Sequence, residues 1–264
     1  MSAKPIPRIL ITNDDGARGE GLRVLEQVAS ELSDDVWVVA PEFDQSGTSH
    51  SISLHEPLRL YSLDERHHNV RGTPSDCVML AVGHLMKEAP PSLILSGVNR
   101  GANLSDSVAY SGTVGAAMTG ILFNIPSIAL SQAFRQVENV RWSTAERLAP
   151  SLILELYQRQ WPEDVCLNIN FPDLPADEVQ GVSITHPARG SIAGVRIDAR
   201  VDRREQPYYW LGFDYGSDQL QDPGTDVVCL REGRVSISPL RFERDTRGDW
   251  GNLGDGLSEC LRGA

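Results

Sequence analysis

RILITNDDGARGEGLRVLEQVASEL, residues 8–32, decides the fold class. Its first five residues form an apolar run suited to a buried strand, which ends on two adjacent acids, Asp14 and Asp15. From residue 20 the apolar positions change period, with Leu22, Leu25, Val28, Ala29 and Leu32 at helical spacing. An all-apolar strand leading through a short polar loop into an amphipathic helix is the start of a β-α unit. Repeated, such units build a parallel sheet covered on both faces by helices.

The alternation does repeat. VWVVA (36–40) is a second strand closed by Pro41, and SISLHEPLRLY (51–61) alternates enough for a β excursion. GTPSDCVMLAVGHLM (72–86) opens a helix with Thr73 as N-cap, Pro74 at the first helical position and Asp76 in the first turn. SLILS (92–96), SIALS (127–131) and VCLNINF (165–171) are further strands. Between them lie a small-residue helix over 112–123 and a helix to about residue 160, introduced by a Ser143–Glu146 capping-box pattern. Beyond residue 175 the rhythm changes to short β-like pieces, VSITH, PYYWLGF, DVVCL and RVSISPL, with 226–240 reading as a hairpin. The expected fold is α/β and Rossmann-like, a mostly parallel sheet with helices on both faces plus a C-terminal β-hairpin extension. The expected division is a catalytic core over 1–174, a β-rich extension over 175–245 and a closing helix over 246–264.

Composition narrows the function classes. The chain has 264 residues, 41% apolar and 23% charged, enough for a sizeable core. A formal net charge of −12 argues against a broad nucleic-acid or anionic-membrane surface, so any anion must be met locally. Cys77, Cys166, Cys229 and Cys260 are dispersed with no CxxC, as expected of reduced thiols. MSAKPIPRIL carries no leader pattern, and the most apolar stretch, 114–130, is broken by Thr119, Gly120, Asn124 and Pro126. A soluble cytoplasmic protein with no membrane partner and no stable nucleic-acid partner is expected.

Three polar clusters follow three different strands: NDDG (13–16), DQSGTSHS (44–51) and SGVNRGANLSDSVAYSGT (96–113). In open parallel sheets these loops meet at the carboxyl edge, where ligands bind. Adjacent carboxylates repel, more strongly near a low-dielectric core. Asp14 and Asp15 therefore either serve an Asx turn or helix cap, or flank a hard divalent cation such as Mg²⁺ or Mn²⁺. A cap needs one acid only, and both precede the helical pattern by several residues. Ser46 and Asn99, each near a glycine, are the candidate neutral oxygen ligands. YSGTVGAAM (110–118) brings small residues into a helix start, either an ordinary N-cap or an anion site with Ser111 and Thr113 hydroxyls as added donors. GEGLRV (19–24) lacks the third glycine of a dinucleotide fingerprint, and no GxxxxGK[ST], GxSxG or HExxH occurs. His67 and His68 read as exposed loop residues.

ILITNDDG, VVAPEFDQSGTSHSISL, GTPSDCV, LILSGVNRGANL and YSGTVGAAM, in that order over residues 8–131, resemble the SurE family of stationary-phase survival proteins, and PGTDVVCLREGRVSISPL (223–240) resembles its C-terminal part. The resemblance implies metal-dependent hydrolysis of nucleoside 5′- and 3′-monophosphates, with short polyphosphate as a further substrate. It implies one divalent ion held by Asp14, Asp15, Ser46 and Asn99, with Asp14 or Asp15 also catalytic. The implied phosphate contacts are Asn103, Ser111, Gly112 and Thr113. It also implies a homodimer or homotetramer with a swapped β extension, to which the aromatic run PYYWLGF would contribute partner surface. Arg100 and the ARGEG loop (17–21) depart from the family's usual residues. A nucleotide-binding regulatory module without turnover is the alternative function, and acids that merely cap would leave a purely structural domain.

Overall fold

The computed structural model describes residues 4–136, 138–216 and 222–243. At its centre β1 (Ile9–Thr12) runs between β2 (Val36–Pro41) and β5 (Leu93–Arg100), parallel to both. Beyond β2 the sheet continues through β4 (His67–Arg71) to an antiparallel edge strand, β3 (Arg59–Ser62). Beyond β5 it continues in parallel through β6 (Ser127–Gln132) and β7 (Cys166–Phe171). β11 (Val235–Leu240) pairs antiparallel with β7 and parallel with β8 (Val182–Ile184), completing nine strands. The central strands β1, β6 and β7 are buried throughout, mostly apolar or small with Gln132, Asn168 and Asn170 as buried polar exceptions.

Helices cover both faces. α1 (Glu20–Leu32) packs beside α4 (Trp142–Arg159) on one side, around Leu25, Val28, Ala149 and Ile153. α2 (Pro74–Leu80) packs beside α3 (Gly112–Ile121) on the other. α2 begins as its sequence predicts: the Thr73 side chain accepts from Asp76 N, and the Asp76 carboxylate accepts from Thr73 N at 2.9 Å. It runs on into a π-helical turn at Ala81–Leu85.

The remaining strands form a separate ribbon. β9 (Ile192–Val201) and β10 (Pro207–Tyr215) pair antiparallel, with Tyr208 opposite Arg200 and Phe213 opposite Val195. This is the β-hairpin extension, and it lies earlier in the chain than 226–240. There the sequence reading was wrong. DVVCL is a helix, α5 (Asp226–Arg231), because Thr225 caps it and Gly233, at φ +76°, ends it before β11. Thus, of the stretch 175–245, β8 and β11 belong to the main sheet and only β9 and β10 stand apart.

Three smaller expectations also differ. α4 starts at Trp142 with no side-chain cap, so Ser143 lies inside its first turn; Trp142 is packed against the core and sets the start. The β excursion at 51–61 shrinks to β3 at 59–62. His67 and His68 are strand residues: His68 is buried, and His67 bridges Glu26 and Asp64 at 2.8 and 2.9 Å. The helix expected over 246–264 falls outside the described residues.

Candidate active site at the β1–β5 crevice

The strand order reverses direction about β1, so the crevice between the ends of β1 and β5 is the topological switch point of the sheet. Asp14 and Asp15 leave β1 there. Asn13 Nδ2 donates to Gly16 O at 2.8 Å, and Gly16 turns the chain at φ +88°. A Cβ on Gly16 would come within 2.9 Å of the Phe43 carbonyl carbon, so glycine brings the loops after β1 and β2 together. Gln45 N donates to Asp14 O at 2.8 Å across the same junction.

An open cleft of about 690 Å³ is lined by Asp14, Asp15, Ser46, Asn99, Asn103 and Ser111. All four expected metal ligands therefore border one space. Asp14 is buried, and its Oδ1 accepts from the Thr113 hydroxyl. Burial is the main cause that pushes its carboxyl up to about 6; the Thr113 bond opposes the rise and the neighbouring Asp15 charge adds to it. Burial likewise raises Asp15, against the Arg100 backbone N–H that donates to its Oδ2 at 3.1 Å. Two partly desolvated carboxylates side by side form a site that a cation would relieve. Asn99 Nδ2 donates to Gly101 O at 2.7 Å, so its amide oxygen is the atom that could serve a cation. Ser46 is exposed on its loop, with its N–H donating to Asp44 Oδ1 at 2.8 Å.

The donor set is all oxygen: two acids, an amide and a hydroxyl. That chemistry fits a hard divalent cation rather than a thiolate or imidazole site. No group of three or more His, Cys, Asp or Glu suited to a metal occurs among the described residues, so any metal here relies on the neutral ligands.

The expected phosphate residues divide into two sets. Ser111 lines the cleft and caps α3; its Oγ accepts from Val114 N at 3.1 Å, which leaves its O–H to donate. Gly112 sits directly against Asp14, where a Cβ would come within 2.9 Å of Asp14 Cβ and 3.0 Å of Asp14 Oδ2. Thr113, fully buried, turns its hydroxyl onto Asp14 rather than into the cleft. Asn103 lines the cleft while its Nδ2 donates to Ser131 Oγ at 2.9 Å. Its backbone is clamped by two residues missed in the sequence. Asn170 Oδ1 accepts from Asn103 N at 2.8 Å, and the Asn168 and Asn170 amides donate to Asn103 O at 2.8 and 3.1 Å. Two asparagines at alternate positions of the apolar run VCLNINF are the signal that marked them.

Also missed was the far wall of the cleft: Tyr110, Phe134, and Phe213 and Tyr215 from β10. Arg100 is exposed at the end of β5, where it borders this cleft and a second one of about 550 Å³ that also holds Arg18 and Trp142.

Comparison with known proteins identifies relatives over most of the chain. The family model described as Survival protein SurE matches residues 9–193. The chain is 51% identical over 240 residues to "5′-nucleotidase SurE" of Parvibaculum lavamentivorans, covering 89% of this chain and 86% of that protein. It is 51% identical over 237 residues to "5′-nucleotidase SurE 1" of Burkholderia lata, covering 90% and 91%. The solved structure of the SurE protein from Aquifex aeolicus superposes with a TM-score of 0.80 at 32% identity, covering 96% of this chain and all of that one. Matched by the family model over residues 9–193 and half identical to these relatives over nine-tenths of its length, the chain belongs to the SurE family.

Proposed function

We propose that this chain is a metal-dependent 5′-nucleotidase, a phosphomonoesterase that hydrolyses nucleoside monophosphates to nucleoside and phosphate. The observation that carries the reading is the single cleft in which Asp14, Asp15, Ser46 and Asn99 border the N-terminal end of α3. These four residues hold one divalent ion, Mg²⁺ or Mn²⁺. When bound, such an ion supplies Lewis-acid neutralisation of phosphoryl oxygens and an acidified water. Asn103, Ser111 and Gly112 form the phosphate end, with Thr113 behind Asp14. There the Ser111 hydroxyl, the Gly112 N–H and the positive end of α3 face developing negative charge, while the Thr113 and Val114 N–H groups are held by Asp14 and Ser111. Thr113 holds Asp14 in orientation through its hydroxyl. The Asn168–Asn170 clamp keeps the Asn103 loop in place. Asp14 and Asp15 share the roles of ligand and base.

The nucleotide is the small-molecule partner. Homodimer or homotetramer assembly through the β9–β10 ribbon is the quaternary state we propose, because Val195, Ile197, Val201, Tyr209, Trp210, Leu211 and Tyr215 are each more than 60% exposed there. No helix among the described residues is long and apolar enough to cross a membrane. Cys77, Cys166 and Cys229 are buried free thiols, which fits a reducing cytoplasm.

Phosphate release from AMP with Mn²⁺ or Mg²⁺ tests the reading, with 3′-AMP and tripolyphosphate as further substrates. Activity should vanish in chelator and return with added metal. Full activity in excess chelator would overturn the metal site, and tight AMP binding without phosphate release would make the protein a regulatory module.

A further inference from the structure

We infer that the aromatic wall of the cleft, centred on Phe213 of the β9–β10 ribbon, stacks the nucleobase of the substrate, so that the ribbon supplies substrate affinity as well as assembly; this rests on the nucleotidase reading. The wall and the acids share one cleft. Tyr110 and Phe213 lie with ring centroids 5.3 Å apart, tilted by 43°, and Phe213 and Tyr215 lie 6.3 Å apart, edge to face. Phe213 and Tyr215 are two residues apart on β10 and so present the same face. Tyr110 directly precedes Ser111, so the wall begins one residue, about 3.8 Å of backbone, from the phosphate end. Ribose and base extend from a bound phosphate along this line.

The wall is preorganised. Ser49 Oγ donates to Ala109 O at 2.6 Å, and Ser49 N to Tyr110 O at 3.2 Å, holding the turn that presents Tyr110. Asp106 in the same turn accepts from Gly190 N and Ile192 N at 2.8 and 3.3 Å, which ties the root of the ribbon to it. Of the polar side chains beside the rings, the Ser107 hydroxyl is committed to the Leu104 backbone. Four aromatic side chains, Tyr110, Phe134, Phe213 and Tyr215, line this same cleft. Ring faces recognise bases by stacking.

A ring cluster that only fastened the ribbon to the core would be satisfied by any apolar side chain of similar size. Phe213→Leu separates the two roles, and Phe213→Tyr keeps the ring. The measured quantity is the KM for AMP relative to that for glycerol 3-phosphate, a phosphomonoester with no base. Phe213→Leu should raise that ratio about tenfold, more steeply for purine than for pyrimidine nucleotides, and Phe213→Tyr should restore it. Light scattering on each variant checks that the assembly is unchanged. An unchanged ratio in Phe213→Leu would overturn the inference. Equilibrium dialysis with adenosine gives the same test without turnover, with binding to Phe213→Leu expected about tenfold weaker than to wild type. Equal adenosine binding by the two proteins would sink base stacking whatever the enzyme hydrolyses. Wild type that cleaves glycerol 3-phosphate but not AMP would sink the nucleotidase reading instead.

Discussion

Asp14, only 4% exposed, ionises far less readily than an ordinary aspartate, from a usual 3.8 to about 6, chiefly because burial disfavours its charge. The folded state thus binds its proton more tightly than the unfolded chain does. Stability falls as pH rises from about 4 to about 6, and above that the whole cost, on the order of 3 kcal/mol, persists. Asp14→Asn removes the charge and keeps an oxygen for the Thr113 hydroxyl. In chelator, the variant should melt at a higher temperature than wild type at pH 7.5 and show no advantage at pH 4. With Mn²⁺ it should lose both the metal-induced rise in melting temperature and nearly all phosphate release. Equal melting temperatures at pH 7.5 would show that the buried charge costs nothing. The identity of the acids was legible in NDDG, since two carboxylates after a buried strand are chemically conspicuous. The Thr113 hydroxyl on Asp14 was not, because the two residues are 99 positions apart and only the crevice brings them together.

At the scale of elements, local capping chemistry separates what the sequence predicts correctly from what it misplaces. The α2 start was legible because Thr73, Pro74 and Asp76 act within four residues. The structure adds a second duty for Asp76, whose carboxylate accepts from Ser53 N and Ser53 Oγ at 2.9 and 2.8 Å. That bond anchors the end of the loop that begins after β2 and carries Ser46. Thr73→Ala should cost about 1 kcal/mol, the usual loss for an N-cap. Asp76→Ala should cost more, about 2 kcal/mol, because it strands the buried Thr73 N–H and the half-buried Ser53 N–H and also loses the Ser53 hydroxyl bond. Urea denaturation of both variants checks the order, and the reverse order would mean that the Ser53 contacts contribute nothing. α5 went unread for the opposite reason. A six-residue helix offers no periodicity to detect, and its Val-Val-Cys run has strand propensity. Its Asp226 settles the matter in three dimensions, a buried carboxylate accepting from Ser105 N, Ala188 N and Val227 N at 2.8–2.9 Å.

For the whole molecule the β9–β10 ribbon is the feature that a lone chain cannot account for. Two strands with apolar side chains exposed on both faces are at best marginally stable in water, and their open edges invite pairing. Gly216 N donates to Ser191 O at 2.9 Å, so the ribbon's two ends meet, and residues 192–215 can be excised by joining 191 to 216. The shortened chain should keep its nine-stranded sheet by circular dichroism and fall from dimer or tetramer to a smaller species by light scattering. It should also lose more activity toward AMP than toward glycerol 3-phosphate. A wild-type monomer at micromolar concentration would refute the assembly.

The sequence by itself determined the layered α/β fold, the helix and strand periods and the residue types gathered at the strand ends, because each of these is written in residues within a few positions of one another. Tertiary structure alone decided which partner each residue takes: Thr113 on Asp14, the asparagines of β7 around Asn103, β11 between β7 and β8, and Phe213 over the cleft. Those pairings join distant parts of the chain. They are set by strand order and by the pull to pair buried polar groups, and neither leaves a local pattern to read.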